Sequence, residues 1–181
     1  LDLPHNLRVR ILSYYEYLWR KNRGVDMISL YSQMPPMLRA EVALAVHGPV
    51  IRKVPLFKDE NDAFIKVLAM MMKPQFFLPG EFVVLKGDIG REMFFIKRGK
   101  CNVVGLEGLP DHEGDPPPDA SWTVFATLEE GAFFGEVALI NSVPRTAYVR
   151  ALTHVDVYLL TSDDLATVRG GPSMPARSGA E

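Results

Sequence analysis

The hydrophobic period of this 181-residue chain changes once, near residue 75, and that change constrains the fold class. Before it, apolar residues recur at helical spacing: Leu7, Ile11, Tyr14, Tyr15 and Leu18 share one face. Pro4 suits a first helical turn, and Asn22-Arg23-Gly24 suits a stop, with basic residues in the last turn and glycine just beyond. Asp26 is placed to cap a short helix over Met27–Gln33, which Pro35-Pro36 ends. Leu38, Val42 and Val46 mark a third helix closed by Gly48-Pro49. Asn61 or Asp62 caps a fourth, with Phe64, Val67, Leu68 and Met71 on its face. After Pro74 the period becomes two. Strands are expected at Glu81–Lys86, Met93–Lys97, Lys100–Gly105, Trp122–Leu128, Ala147–Leu152 and Val155–Leu160, punctuated by Pro79-Gly80, Lys86-Gly87-Asp88 and Arg98-Gly99. In the last of them Val157 and Leu159 alternate with Asp156 and Tyr158. Helices gathered at one end and short strands at the other predict an α+β fold. An N-terminal helical linker leads into an antiparallel, jelly-roll-like β-roll with short flanking helices.

Composition narrows the function classes. Hydrophobic residues make up 48% of the chain, enough for a buried core, and the net charge of -2 gives no reason to expect a nucleic-acid partner. Cys101 is the sole cysteine, so no intrachain disulfide forms and a reducing compartment is the simpler expectation. No apolar run approaches the roughly 18 residues that span a bilayer. The start at Leu1-Asp2-Leu3-Pro4, without an initiator methionine, reads as a fragment of something longer. His5, His47, His112 and His154 lack metal-ligand spacing, which argues against a metal enzyme on the same architecture. Cys101 has no base beside it, and there is no serine elbow or Walker loop. Leu106–Ser121, with Asp111-His112-Glu113-Gly114-Asp115 and three prolines, is expected to be a solvated, mobile loop; 170–181 is expected to be an unstructured tail.

The segment from Phe133 to Ala147 carries the chemistry. Gly135 lets the backbone approach a ligand, and Glu136–Ile140 suits one helical turn whose first N–H groups face an anion. Arg145 offers a planar fork for phosphate oxygens, and Glu136 an acceptor-only carboxylate for a hydroxyl. Together they suit a small anion that also carries a sugar. The same two side chains would also serve as an ordinary surface ion pair, and the pattern alone leaves both open.

Phe134-Gly135-Glu136 followed by Arg145-Thr146-Ala147 resembles the phosphate-binding cassette of cyclic-nucleotide-binding domains. Pro79-Gly80-Glu81, the run Lys86-Gly87-Asp88-Ile89-Gly90-Arg91-Glu92-Met93 and Gly99-Lys100 resemble the first half of the same roll in cyclic-nucleotide-gated channels. Leu3-Pro4, Tyr15-Glu16-Tyr17-Leu18-Trp19 and Leu38-Arg39-Ala40-Glu41-Val42-Ala43 resemble the C-linker that joins pore to sensor in cyclic-nucleotide-gated and hyperpolarisation-activated channels. The three matches stand in the right order over about residues 3–168.

The resemblance implies roles. Arg145 pairs with the cyclic phosphate, Glu136 accepts from the ribose 2′-hydroxyl, and the N–H groups of Gly135 and Ala147 cradle phosphate oxygens. Thr146 adds a hydroxyl contact associated with cGMP. Val137, with Val83, Val84 or Leu85, lines the base pocket, and Val84 stands for that group in the expected site. The ligand is cAMP or cGMP, with no cofactor and no catalysis. The partners are the other subunits of a homo- or heterotetrameric channel. The place is the cytoplasmic side of a membrane, reached only through a pore domain outside this sequence. Residues 1–55 are the expected helical linker and 56–169 the binding domain. Trp19 and Tyr14, Tyr15 and Tyr17 either pack within the linker or meet a neighbouring protomer. Lys86, Lys97, Arg98 and Lys100 are expected on solvated strand edges, and Arg91-Glu92 as a structural pair near the pocket.

The chain departs from the family after the roll, where a long helix ordinarily closes over the base. Here Ser162-Asp163-Asp164 looks like a cap, Leu165–Arg169 begins a helix, and Gly170-Gly171-Pro172 stops it. Either the lid is absent or the sequence there is non-native. The alternatives are a channel assembly module with weak or no nucleotide binding, or the regulatory domain of a cyclic-nucleotide-dependent kinase. The kinase reading would call for an inhibitory basic peptide or a second roll, and a bacterial-type transcription regulator for a helix-turn-helix.

Overall fold

A computed structural model describes residues 3–23, 27–108, 112, 114–117 and 120–170. Four helices come first: α1 (His5–Asn22), α2 (Met27–Gln33), α3 (Pro36–Ile51) and α4 (Asp62–Met71). Eight strands follow: β1 (Lys73–Phe77), β2 (Phe82–Val84), β3 (Glu92–Arg98), β4 (Cys101–Leu106), β5 (Trp122–Leu128), β6 (Phe133–Phe134), β7 (Tyr148–Ala151) and β8 (Val155–Thr161). The short α5 (Val137–Ile140) lies between β6 and β7, and α6 (Ser162–Val168) follows β8. The strands form two four-stranded antiparallel sheets, ordered β1-β8-β3-β6 and β2-β7-β4-β5. The fold is therefore α+β, a β-roll with flanking helices.

The unbroken apolar run Met93–Ile96 is explained by burial on both faces of β3. Phe94 and Ile96 point into the roll with Val84, Phe134 and Val157. Met93 and Phe95 point outward against Ile51, Phe57, Ile65 and Leu68 of the helical layer. That second core is continuous across residue 55, since Ala43, Ile51 and Val54 share it with Met93 and Leu160.

Several local expectations are corrected. Gly48-Pro49 does not close α3: Pro49 sits inside it, and Arg52 N–H still donates to Gly48 C=O at 3.0 Å. The last turn delivers Ile51, and tight turns then deliver Val54 and Phe57, all fully buried. That gain outweighs the bond that proline forgoes. The buried face of α3 is Ala40, Ala43, Gly48 and Ile51, while Leu38 and Val46 are exposed. Small residues let α4 approach closely; Gly48 has Leu44 and Ile65 against it. On α4 the expected Leu68 is buried and Phe64 and Met71 pack against the core, with Ile65 and Ala69 buried beside them, whereas Val67 is exposed. Asn61 is its N-cap, accepting from Phe64 N–H at 2.9 Å. Arg23, in the left-handed conformation at φ 48°, is the C-cap of α1, whereas Gly24 and Asp26 lie outside the described residues. Thr161, not Ser162, caps α6, in a capping box with Asp164. The strands β1 and β6 have no counterpart among the expected runs, and the tail beyond Gly170 lies outside the described residues.

The simple alternation expected along β8 also fails. Asp156 is only 4% exposed, on the face away from the roll interior, where Tyr17 Oη of α1 donates to Asp156 Oδ2 at 2.7 Å. The Tyr17 ring stacks on Phe76 at 4.4 Å and on His154 at 4.9 Å, and Arg10 pairs with Glu81 at 2.5 Å. These contacts dock α1 on β1 and β8. Trp19, at 68% exposed, is not packed within the helical segment.

Candidate functional site

Two segments singled out in the sequence meet in space. The strand β6 pairs with β3 through Phe134 and Phe94, then turns at Gly135, whose φ of +83° lies in the left-handed region that favours glycine. After α5 the chain returns along the β2–β3 turn. Ile89 and Pro144 form a bridge, Arg145 N–H donates to Asp88 C=O at 2.8 Å, and Gly87 N–H donates to Arg145 C=O at 2.9 Å.

The turn and the cassette enclose the Arg145 side chain, which is 8% exposed. Its Nη2 donates to Glu92 C=O at 2.7 Å and to Glu92 Oε2 at 3.2 Å, and the guanidinium lies 5.9 Å over the Phe94 ring. Glycines make the room. A Cβ at Gly135 would sit 2.7 Å from Arg145 Nη1 and 2.8 Å from Glu92 O, and one at Gly90 would fall on Arg145 Cζ. Burial pulls the Arg145 pKa below the usual arginine range, and the Glu92 carboxylate opposes that shift. Nη2 makes both bonds, so Nε and Nη1 have no hydrogen-bond partner among the described residues. The Arg91-Glu92 pair expected from the sequence is thus a different arrangement. The Glu92 carboxylate accepts from Arg91 main-chain N–H at 3.1 Å and faces Arg145.

The other expected residues divide into two groups. Glu136 is the half-buried N-cap residue of α5, and its carboxylate makes no hydrogen bond among the described residues. Exposed Thr146 and half-buried Ala147 line a cleft of about 420 Å³, walled by Lys86, Gly105, Thr123 and Phe125. Val84 lies instead in the roll interior with Phe94 and Phe134, and Val137 is 54% exposed on α5; neither lines that cleft. Sequence reasoning passes over Phe125, whose ring lies across Gly105, because the run Thr123–Thr127 shows no single apolar face. A larger cleft of about 610 Å³, between Arg10 and the turn at Pro79-Gly80, contains none of the expected residues.

The remaining reactive groups are accounted for by packing. His47 sits edge-on to Tyr158, His154 stacks on Tyr17, and His112 Nδ1 lies 2.8 Å from Tyr148 Oη. Among the described residues no cluster of His, Cys, Asp and Glu is placed to hold a metal ion. Burial pushes the Cys101 thiol up to about 11, so it is not a ready thiolate. Lys97 donates to Tyr158 Oη at 2.8 Å, and Lys100 pairs with Glu129 at 2.6 Å.

The model of the family described as "Cyclic nucleotide-binding domain" matches residues 74–169. Over 166 residues the chain is 34% identical to the alpha chain of the cone photoreceptor cyclic nucleotide-gated channel of Gallus gallus, covering 88% of this chain and 21% of that protein. It is 33% identical over 170 residues to the alpha chain of the rod photoreceptor cyclic nucleotide-gated channel of Gallus gallus, covering 91% of this chain and 24% of that one. It is 33% identical over 165 residues to the cyclic nucleotide-gated channel alpha-2 of Bos taurus, covering 88% and 23%. The chain therefore spans under a quarter of the length of these curated relatives. Among the described residues no helix is long and apolar enough to cross a membrane. With the cassette built from Gly135 to Ala147 on a β-roll and the family match over the same stretch, the chain belongs to the cyclic nucleotide-binding domain family, in the form found in cyclic nucleotide-gated channels.

Proposed function

We propose that this chain is the ligand-sensing region of a cyclic-nucleotide-regulated cation channel, binding cAMP or cGMP and passing the event to the pore through residues 1–55. The observation that carries the reading is Arg145: a nearly buried guanidinium packed against Gly90 and Gly135, with two nitrogens that have no hydrogen-bond partner among the described residues. A cyclic phosphate is a monoanion that presents two oxygens to such a fork. Glu136 stands ready to accept from the ribose 2′-hydroxyl, and the N–H groups of Gly135 and Ala147 contribute to the phosphate cradle. Thr146 adds a hydroxyl beside the cleft, and the Phe125 ring offers a face for the base. No role in ligand contact is assigned to Val84 or Val137.

The domain 56–169 is then the sensor and the helical segment the transmitter. Docking of Tyr17 on Asp156 ties α1 to β8, which pairs with β3, the strand that carries Glu92 and Phe94 beneath Arg145. The module acts without catalysis, on the cytoplasmic side of a membrane, in company with the other subunits of a homo- or heterotetramer. Amide chemical-shift mapping tests the site. Adding cGMP or cAMP should displace the Gly135 and Ala147 signals, with linear 5′-GMP as the weaker control. Shifts confined to the cleft near Arg10, or none at millimolar nucleotide, would overturn the assignment.

A further inference from the structure

The cleft beside Thr146 has a polar far end that no cassette role uses. Its floor crosses three strands. Tyr148 pairs with Val104, which on its other side pairs with Val124, and the next rung pairs Gly105 with Thr123. Ala147 and Thr146 precede Tyr148 on one side of this floor, and Thr123 lies on the other. The two sides stand two inter-strand steps apart, about 10 Å. That is on the order of the span from the phosphate to the base edge of a nucleotide. Gly105 contributes no side chain in the middle, and the Phe125 ring lies over it.

Glu107 closes the far end. It follows the last residue of β4, and its N–H donates to Ser121 C=O at 3.0 Å, which continues the β4–β5 ladder by one rung and fixes its backbone. Glu107 lines the cleft, and among the described residues its carboxylate takes one long hydrogen bond, from Thr123 Oγ1 at 3.5 Å. A carboxylate with two oxygens and one long bond has acceptor capacity to spare.

Resting on the nucleotide-binding reading of the same site, we infer that Glu107, oriented by Thr123, reads the base and selects guanine over adenine. Guanine presents two adjacent donors, N1–H and the 2-amino group, which match the two oxygens of one carboxylate. Adenine presents a single 6-amino donor beside the N1 lone pair, which repels the same carboxylate. The discrimination is therefore both attractive and repulsive. Glu107 is exposed at a strand end, so substitution there leaves the core untouched.

The test measures the dissociation constants of cGMP, cAMP and cyclic inosine monophosphate, which keeps N1–H but lacks the 2-amino group. They are measured on the chain and on Glu107→Gln. The chain should bind cGMP at least tenfold more tightly than cAMP, with the inosine analogue between them. Glu107→Gln should bring the cGMP-to-cAMP ratio to within about threefold while cAMP affinity holds or improves. Saturable binding with an unaltered ratio in Glu107→Gln, or no guanine preference in the parent chain, overturns the assignment of Glu107 alone. Absence of saturable binding by all three nucleotides overturns the cassette reading and this inference with it.

Discussion

Replacing Glu92 with glutamine should tighten nucleotide binding. The Glu92 carboxylate sits 3.2 Å from Nη2 of Arg145, the guanidinium proposed above to receive the phosphate. Two unit charges about 4 Å apart attract by roughly 4 kcal/mol at an effective dielectric of 20. Glu92 is 41% exposed, however, so solvent screens most of that attraction and leaves a net interaction of about 1 kcal/mol. Glutamine keeps the shape and an acceptor oxygen but removes the charge. The main-chain bond from Nη2 to Glu92 C=O, at 2.7 Å, stays and keeps the guanidinium in place. A phosphate that displaces the carboxylate then meets about 1 kcal/mol less competition, a gain of about fivefold in affinity. Titration calorimetry of Glu92→Gln against the parent chain, with the same nucleotide and salt, measures this directly. An unchanged dissociation constant would show that Glu92 and phosphate do not compete. A fivefold weakening would show the reverse role, with Glu92 holding Arg145 in its binding pose.

Gly135→Ala should abolish nucleotide binding and destabilise the domain by about 1–2 kcal/mol, since φ is +83° and the new Cβ meets Arg145 Nη1 and Glu92 O; urea unfolding with a parallel titration reads both effects. His47, packed on Tyr158, has its pKa drawn from 6.5 to about 4, by burial first and by Lys97 second. The unfolded chain therefore binds more protons between these values, so stability should be full above pH 6.5 and fall as pH drops toward 4. The loss is on the order of 1 kcal/mol after screening, and His47→Gln should flatten that part of the urea-midpoint profile. Tyr17→Phe removes a donor from buried Asp156 and should lower stability by about 1–2 kcal/mol. It should also quicken proteolytic cleavage within α1; cleavage at the parent rate would refute the docking role.

Much of this architecture is legible in the sequence, and the misses share a cause. The strands with clear turn residues, such as β3, β4 and β5, fall close to the expected runs, because Arg98-Gly99 and similar pairs punctuate them. The strand β1 is hidden because Lys73-Pro74-Gln75 carries no alternation; it is a strand only by pairing with β8 at the sheet edge. The strand β6 is two residues long and is defined by its pairing with β3. The buried face of α3 departs from the expected one for a packing reason, and on α4 only Val67 does. Large residues draw attention in the sequence, whereas a close helix pair buries small ones, here Ala40, Ala43 and Ala69. Glycine, glutamate and arginine at the cassette stand out because their chemistry is local. The approach of Glu92 to Arg145, 53 residues apart, and the cleft floor shared by β4, β5 and β7 depend on the register of the folded sheet.

The most direct test of the central claim is calorimetric titration of this chain with cGMP and with cAMP, set beside Arg145→Ala. Saturable binding is expected, weakened in Arg145→Ala by about a hundredfold, or roughly 2.7 kcal/mol. Equal binding by both proteins, or no heat from either nucleotide at millimolar concentration, would contradict it.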